Sequence, residues 1–350
     1  MIKTILLLSG GLDSTLAGKI LLEMGIAVEG LNFVSPFCRC TPVSAGCSSA
    51  SRAAEQLGIP VKTISCVEDY LKVICNPRHG RGSGANACID CRIFMFSKAR
   101  EEMAASGASF VTTGEVLGER PMSQRKRAME IIERESGLEG YVLRPLSAKL
   151  LTPTVPEKEN LVDREKLLAI QGRRRLPQFA LARELGIVDY LCPGGGCLLN
   201  DPEFAVRFKD YMEHEGEISV REANLLKLGR HFRLPSGAKV IVGRNEQENL
   251  SLERFLMPGD VIIEPYDTPG PSVLCRKPAE PDDISLALRF AASYTKFGEK
   301  VNFSVIVIDN NNQRRKTTLA ENSMPLERER IAEWWIGAEQ SRPFVGQQRY

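Results

Sequence analysis

Between residues 4 and 113, short apolar runs alternate with longer stretches of helical periodicity. Thr4–Leu8, Ala27–Val34, Val61–Ser65 and Phe110–Thr113 read as buried strands. Between them, Asp13–Glu23, Ser48–Leu57, Val67–Ile74 and Ile89–Ala105 read as helices. The alternation predicts an α/β domain, a parallel sheet with flanking helices and right-handed crossovers. Ligands of such sheets bind beyond the carboxyl ends of the strands.

Two segments interrupt the pattern. Ser35–Cys47 is a loop rich in proline and cysteine, and Asn76–Ala87 is glycine-rich and basic, a loop expected to be mobile when empty. Residues 116–200 read as helices and loops appended to the sheet, followed by helices over Pro202–His214 and Ser219–Leu228. Ser219 with Glu222 has the spacing of a capping box. From about Gly229 the texture turns to strands: Lys239–Val242, Asp260–Glu264, Ser272–Cys275, Asn302–Ile308 and Arg315–Leu319, crossed by one helix, Asp282–Thr295. The expected organisation is therefore residues 1–200, a helical linker at 201–228, and a smaller α+β domain at 229–350.

Composition narrows the class. A chain of 350 residues with 43% hydrophobic and 26% charged residues suits a globular protein of two domains. No apolar run has the roughly 18 residues of a membrane span, and Met1–Thr4 leads straight into a strand, so a cytoplasmic protein without a signal peptide is expected. With 3 histidines, a histidine-based zinc site or a Ser-His-Asp triad has little to draw on. The 10 cysteines are many for a reducing compartment, where clustered thiols more often bind metal or carry redox chemistry.

The first strand runs into Ser9-Gly10-Gly11-Leu12-Asp13-Ser14-Thr15. Two glycines allow a sharp turn and close approach of a ligand to the backbone. The helix that follows offers free N–H groups and the positive end of its dipole to an anion. Ser9, Ser14 and Thr15 add hydroxyls, so the segment reads as a phosphate cradle. It lacks the lysine of the G-x-x-x-x-G-K-[ST] loop. Asp13 suits Mg²⁺ as a hard oxygen ligand, or it is a carboxylate placed at a helix start by the dipole.

Cys88 and Cys91 form a C-x-x-C at a helix start, a position that lowers thiol pKa. With Cys197, which follows three glycines, they supply three thiolates. Three thiolates can hold a [4Fe–4S] cluster and leave one iron open, whereas structural zinc needs a fourth ligand; zinc stays an alternative. A redox pair with a separate buried Cys197 is the plainer reading. Cys38, Cys40 and Cys47 are rivals as ligands, a second metal site, or a persulfide relay.

The seven residues of the glycine turn resemble the pyrophosphate loop of the PP-loop ATP pyrophosphatase superfamily, whose fold is adenine nucleotide alpha hydrolase-like. Taken with Cys88–Met95, Thr113–Gln124 and Gly195–Phe204, residues 1–228 are similar to its tRNA thiolation branch, the 4-thiouridine and 2-thiouridine synthetases. Residues 230–340 resemble the RNA-binding domain of NFACT proteins through Lys239–Asn249, Gly270–Val273 and Ala291–Tyr294. The resemblance implies an AMP-forming tRNA sulfurtransferase. ATP adenylates a base carbonyl, most simply that of uridine, and sulfur replaces its oxygen.

It further implies ATP bound by Ser9, Gly10, Gly11, Asp13, Ser14 and Thr15, with Phe33 and Gly114 in the nucleotide pocket and Mg²⁺ on Asp13. Cys88, Cys91 and Cys197 would carry the cluster and, with Asp13, the catalysis. The sulfur donor would be a cysteine desulfurase or inorganic sulfide. Ala87 stands where a proline is expected, and Cys192 where a small residue is expected, so Cys192 could close the open iron. No RNA-capture or sulfur-carrier domain of the kind some relatives have is found, and a homodimer is left open. Basic residues Arg125, Lys126, Arg127, Arg173, Arg174 and Arg175, with Arg314–Lys316, are candidates for phosphate contacts, and Arg244 and Asn245 for RNA contacts in the second domain. Rival functions are a PP-loop enzyme acting on a small molecule and a non-catalytic RNA-binding adaptor.

Overall fold

The computed structural model describes residues 1–39, 48–190, 196–265, 268–295, 303–308, 314–319 and 325–337. Cys40, Cys47 and Cys192 lie outside them. The chain divides into two compact units, Met1–Leu198 and the part from Leu199 onward.

In the first unit, β1 (Lys3–Leu7), β2 (Ala27–Val34), β3 (Val61–Ser65), β4 (Phe110–Thr113) and β5 (Val142–Leu143) form one parallel sheet in the order β3-β2-β1-β4-β5. The helices are α1 (Leu12–Glu23), α2 (Ser48–Leu57), α3 (Glu68–Cys75), α4 (Cys88–Ser106), α5 (Lys126–Ser136), the short α6 (Val155–Lys158) and α7 (Leu176–Glu184). Alternation along β1 explains the layering. Leu6 and Leu8 join Phe110 and Val28 against α1 and α2, while Ile5 and Leu7 join Val111 and Leu31 against Phe96 and Ala99 of α4 and Ile132 of α5. Both faces are apolar because both carry helices. Strand order reverses between β1 and β4, and the crevice at such a reversal is where open α/β sheets bind ligands.

Sequence reading placed β1 to β4 and missed β5, at the sheet's edge. Two residues carry no periodicity, and only pairing with Val111 and Thr112 makes them a strand. The loop at 76–87, expected to be mobile, is tied down. Arg81 donates to the carbonyls of Ile74, Cys75 and Ala85, and the Asp90 carboxylate accepts from the N–H groups of Arg78 and His79.

The second unit begins with α8 (Pro202–His214) and α9 (Val220–Leu225). Its antiparallel sheet comprises β6 (Arg230–Arg233), β7 (Lys239–Val242), β8 (Val261–Pro265), β9 (Val273–Arg276), β10 (Phe303–Ile308) and β11 (Arg314–Leu319), in the order β11-β10-β8-β9-β7-β6. One face packs on α11 (Pro281–Tyr294) and on Ile331 of α12 (Arg328–Glu333), centred on Phe232 against Phe290 at 4.4 Å between rings. The other face meets Leu225 of α9 and Leu252 of α10 (Glu246–Glu253). Ser219 does cap α9, accepting from Glu222 N–H, but the Glu222 carboxylate takes Arg276 instead of closing the box. Among the described residues no helix is long and apolar enough to cross a membrane.

Phe110 is fully buried in the first unit's core. Phe110→Ala is expected to lower unfolding free energy by about 3–5 kcal/mol in denaturant titration; a loss under about 1 kcal/mol would show that the sheet is not centred there.

Candidate active site at the sheet reversal

The glycine turn leaves β1 at the reversal. Gly10 adopts φ +74°, and a Cβ there would lie 2.3 Å from the Ser49 carbonyl carbon, so glycine is required both by conformation and by the approach of α2. Gly11 is the N-cap of α1 and, having no side chain, leaves that helix without a side-chain cap. The hydroxyls of the turn also brace it. Ser14 Oγ and Thr15 Oγ1 donate to the Gly11 carbonyl at 2.9 and 3.0 Å, and Ser9 Oγ lies 3.1 Å from Ser14 Oγ. Anion-binding capacity therefore rests on backbone N–H groups and the α1 dipole. Asn32, buried on β2, donates to the Leu8 carbonyl at 2.8 Å and fixes where the turn begins. Phe33 packs, half-buried, with the α4-side core.

Gly114, after β4, closes the other side. A Cβ on it would lie 2.4 Å from both the Asp13 carbonyl carbon and Ser14 N. The next residue, Glu115, is buried and held by Arg144 at 3.1 Å and Arg92 at 3.4 Å; Arg144 also binds Glu133. This network fixes the end of β4, and sequence reading missed it because its members are spread over 53 residues (from 92 to 144).

Asp13 has one oxygen on Arg175, at 2.9 Å, and the other, Oδ1, buried without a hydrogen-bond partner. Arg175 also binds Glu119. Burial, reinforced by the nearby Glu119 carboxylate, pushes the Asp13 pKa up to about 6, against the pull of Arg175. This carboxylate oxygen, with the Gln178 amide close enough to favour its ionised form but outside good hydrogen-bond geometry, stands beside an uncapped helix start and suits a hard cation such as Mg²⁺.

Thiols gather on the same edge of the sheet. Cys38 follows β2, Cys66 follows β3, and Cys88 and Cys91 open α4. Cys197 pairs with Cys38 in an isolated antiparallel bridge. The Cys91 sulfur lies 3.4 Å from the Tyr70 hydroxyl, and the Cys88 sulfur accepts from Asn86 Nδ2 at 3.1 Å. Tyr70 is held protonated by burial and by facing Cys91, Cys197 and Cys66. Burial raises the Cys91 pKa, against the lowering expected at a helix start, and pushes Cys66 up to about 12. Among the described residues, no three His, Cys, Asp or Glu side chains are grouped to hold a metal. Cys88 and Cys91 are thus turned to different partners, Asn86 and Tyr70. Asp90, between the two cysteines of α4, serves the adjoining loop.

Arg125, Lys126, Arg127, Arg173 and Arg174 are exposed, whereas Arg175 is committed to the carboxylates above. In the second unit Arg244 is paired with Glu248, and Asn245 is the N-cap of α10, accepting from Glu248 N–H. Both have local structural work in that turn. Of Arg314, Arg315 and Lys316 only the backbone, in β11, is described.

Residues 2–159 match the tRNA methyl transferase HUP domain, and residues 229–336 match the NFACT protein RNA binding domain. The first half of the chain is thus similar to a HUP domain and its last third to an RNA-binding domain of the NFACT type. The tRNA-specific 2-thiouridylase MnmA of Syntrophotalea carbinolica is 31% identical over 116 residues, 31% of this chain and 32% of the relative. The MnmA 1 of Caldanaerobacter subterraneus subsp. tengcongensis is 29% identical over 133 residues, 34% of this chain and 36% of the relative. The chain thus spans about a third of the length of these curated relatives. A solved structure, the U34-tRNA thiolase NcsA from Methanococcus maripaludis with its [4Fe–4S] cluster, is 16% identical with a TM-score of 0.33, covering 65% of this chain and 73% of that one.

Two predictions concern this crevice. Gly114→Ala, whose methyl would meet main chain at Asp13 and Ser14, should lower unfolding free energy by about 1–3 kcal/mol in denaturant titration; unchanged stability would show that the two backbones have room to part. Asp13 has a folded-state pKa above its unfolded value, so its contribution to stability is present below about pH 4 and is lost as pH rises through about 6. Asp13→Asn should accordingly gain about 2–3 kcal/mol on the parent between pH 4 and 7 in parallel denaturant titrations, and a pH-independent difference would refute the shift.

Proposed function

We propose that the protein is a cytoplasmic, ATP-dependent tRNA sulfurtransferase that replaces the carbonyl oxygen of a tRNA base, uridine in the simplest case, with sulfur. One observation carries the reading. The uncapped glycine turn stands at the sheet reversal, and thiols follow the strands on that same edge, in a chain that also holds an NFACT-type domain. The MnmA likeness supports the tRNA thiolation branch.

A carbonyl oxygen leaves poorly; transfer of AMP to it, with release of pyrophosphate, makes it a good leaving group. The N–H groups at the start of α1 hold the departing pyrophosphate where its charge develops. Asp13 is the residue that would hold Mg²⁺, which would supply charge neutralisation for the phosphates, and Arg175, already within reach of Asp13, neutralises charge on the same side. Gly10, Gly11 and Gly114 keep the crevice free of side chains, and Phe33 contributes to the nucleotide side. Ser9, Ser14 and Thr15 keep the turn in shape.

Cys88, Cys91 and Cys197 are the residues that would hold an iron–sulfur cluster. As soft thiols they fit it in donor type, once the Cys88 and Cys91 sulfurs turn from Asn86 and Tyr70. A cluster bound there would supply sulfide-level sulfur, which replaces the oxygen without change of oxidation state; inorganic sulfide would serve directly as donor, and sulfur from a cysteine desulfurase would need two electrons from a reductant on the way. Arg125, Lys126, Arg127, Arg173 and Arg174 meet tRNA phosphates, and the target base is extruded to reach the crevice. The second domain adds RNA affinity around Arg244 and Asn245.

The test is pyrophosphate release from ATP by the full chain with tRNA or with free nucleosides. Release that requires tRNA is expected; release with nucleosides alone would point to a small-molecule substrate, and none with either would sink the reading. Asp13→Ala should cut the tRNA-dependent rate about a hundredfold or more. Cys197→Ser should abolish thiolated nucleoside in digested tRNA while leaving ATP binding intact; full activity would remove Cys197 from the reaction.

A further inference from the structure

In the thiol neighbourhood the backbone fixes the position of Cys38 relative to Cys197, across two separate segments. The Arg39 N–H donates to the Gly196 carbonyl at 2.7 Å, and the Leu198 N–H donates to the Phe37 carbonyl at 2.8 Å. These two bonds flank Cys38 and Cys197 and make them the directly opposed residues of the antiparallel bridge. In this pattern the opposed residues exchange no hydrogen bond with each other, so they form the close kind of pair. Cα atoms in such a pair stand about 4.5 Å apart, with both side chains on the same face. Disulfides span about 4.4–6.8 Å between Cα atoms, so the pair lies within bonding range.

Access and surroundings agree. Cys38 and Cys197 are both partly exposed, whereas Cys66 and Cys75 are buried. The Cys38 N–H donates to the Ser35 carbonyl at 3.1 Å, closing a tight turn that presents the sulfur. Ser35 N–H donates to Cys38 Sγ at 3.4 Å, and Ser35 Oγ lies 3.5 Å from it. Ser35 Oγ already accepts from Phe37 N–H at 3.3 Å, which leaves its own proton for the sulfur. By contrast, Cys91 is turned to Tyr70 and Cys88 to Asn86.

We propose that Cys38 and Cys197 are a redox-active dithiol, a site that takes a small-molecule disulfide as oxidant and closes to an intramolecular disulfide across the bridge. In the first step one cysteine thiolate attacks a sulfur of the oxidant. The oxidant's S–S bond breaks, and half of it leaves as a thiolate with the electron pair and is protonated. In the second step the other cysteine attacks the protein-side sulfur of the mixed disulfide. The Cys38–Cys197 bond forms, and the second half leaves as a thiol. Two cysteine thiols are oxidised, one disulfide is reduced to two thiols, and the two cysteine protons end on the released thiols. On the sulfur-transfer reading given above, closure withdraws Cys197 from sulfur delivery, so Cys38 sets the redox conditions under which the site works.

The experiment uses the full chain, purified under reducing conditions with a chelator and without ATP or tRNA. It is equilibrated over a range of glutathione to glutathione disulfide ratios, quenched in acid, alkylated and mapped by peptide mass spectrometry. The expected result is joint loss of Cys38 and Cys197 from the alkylated pool, a linked peptide pair containing both, and full recovery with dithiothreitol. Cys38→Ser should leave Cys197 alkylatable or carrying a single glutathione, and Cys38→Ala guards against an effect peculiar to serine; circular dichroism melts verify that each variant folds. A linked peptide joining Cys197 to Cys88 or Cys91 in the parent protein would overturn the assignment, as would persistence of both thiols across the whole range. Because the readout needs no substrate, its failure is separable from failure of tRNA thiolation, which pyrophosphate release and nucleoside analysis report.

Discussion

Three backbones converge at the head of the first sheet, and the room they leave fixes everything built there. Gly10 has to pass the start of α2, and Gly114 has to pass the start of α1. A methyl group at either position would sit well inside van der Waals contact with main chain, where no side-chain rotation can relieve it. The same crowding determines the chemistry. It holds α1 with its first N–H groups uncapped, and it brings the Asp13 carboxylate under enough cover to resist ionisation. The anion-binding capacity and the perturbed acid are two results of one packing constraint.

Charge around that point is balanced by residues far apart in sequence. Arg175 crosses from the approach to α7 to meet Asp13 and Glu119, and Glu115 with Arg144, Arg92 and Glu133 forms a buried set behind β4. Buried ion pairs of this kind cost desolvation, and their net stabilisation is small unless every partner is present. Their value here is positional: they hold two strand ends at fixed places on either side of the crevice.

Much of this was legible in the chain. Apolar runs flanked by helical periodicity marked β1 to β4, and the glycine pair after β1 marked the turn. What escaped were features without local signature. The two-residue β5 exists only through its neighbour. The bracing of the turn by Ser14 and Thr15, whose hydroxyls donate to the Gly11 carbonyl, is set by turn geometry. Arg175 reads as one of three surface arginines, and only the fold reveals its carboxylate partners. The helix-start argument for Cys91 failed because burial outweighs the dipole there. Arg244 and Asn245 follow a strand as expected, yet both are engaged in starting α10.

The Asp90 carboxylate receives two main-chain N–H groups from the preceding loop, which Arg81 in turn fastens to the end of α3. The first turn of α4, with Cys88 and Cys91, is consequently moored at its root like a mast stepped in a keel. Any reach those sulfurs make toward a reacting atom must come from rotation about their own side-chain bonds or from travel of the incoming molecule. That leaves alignment at this edge to side-chain torsions and to whatever molecule approaches it.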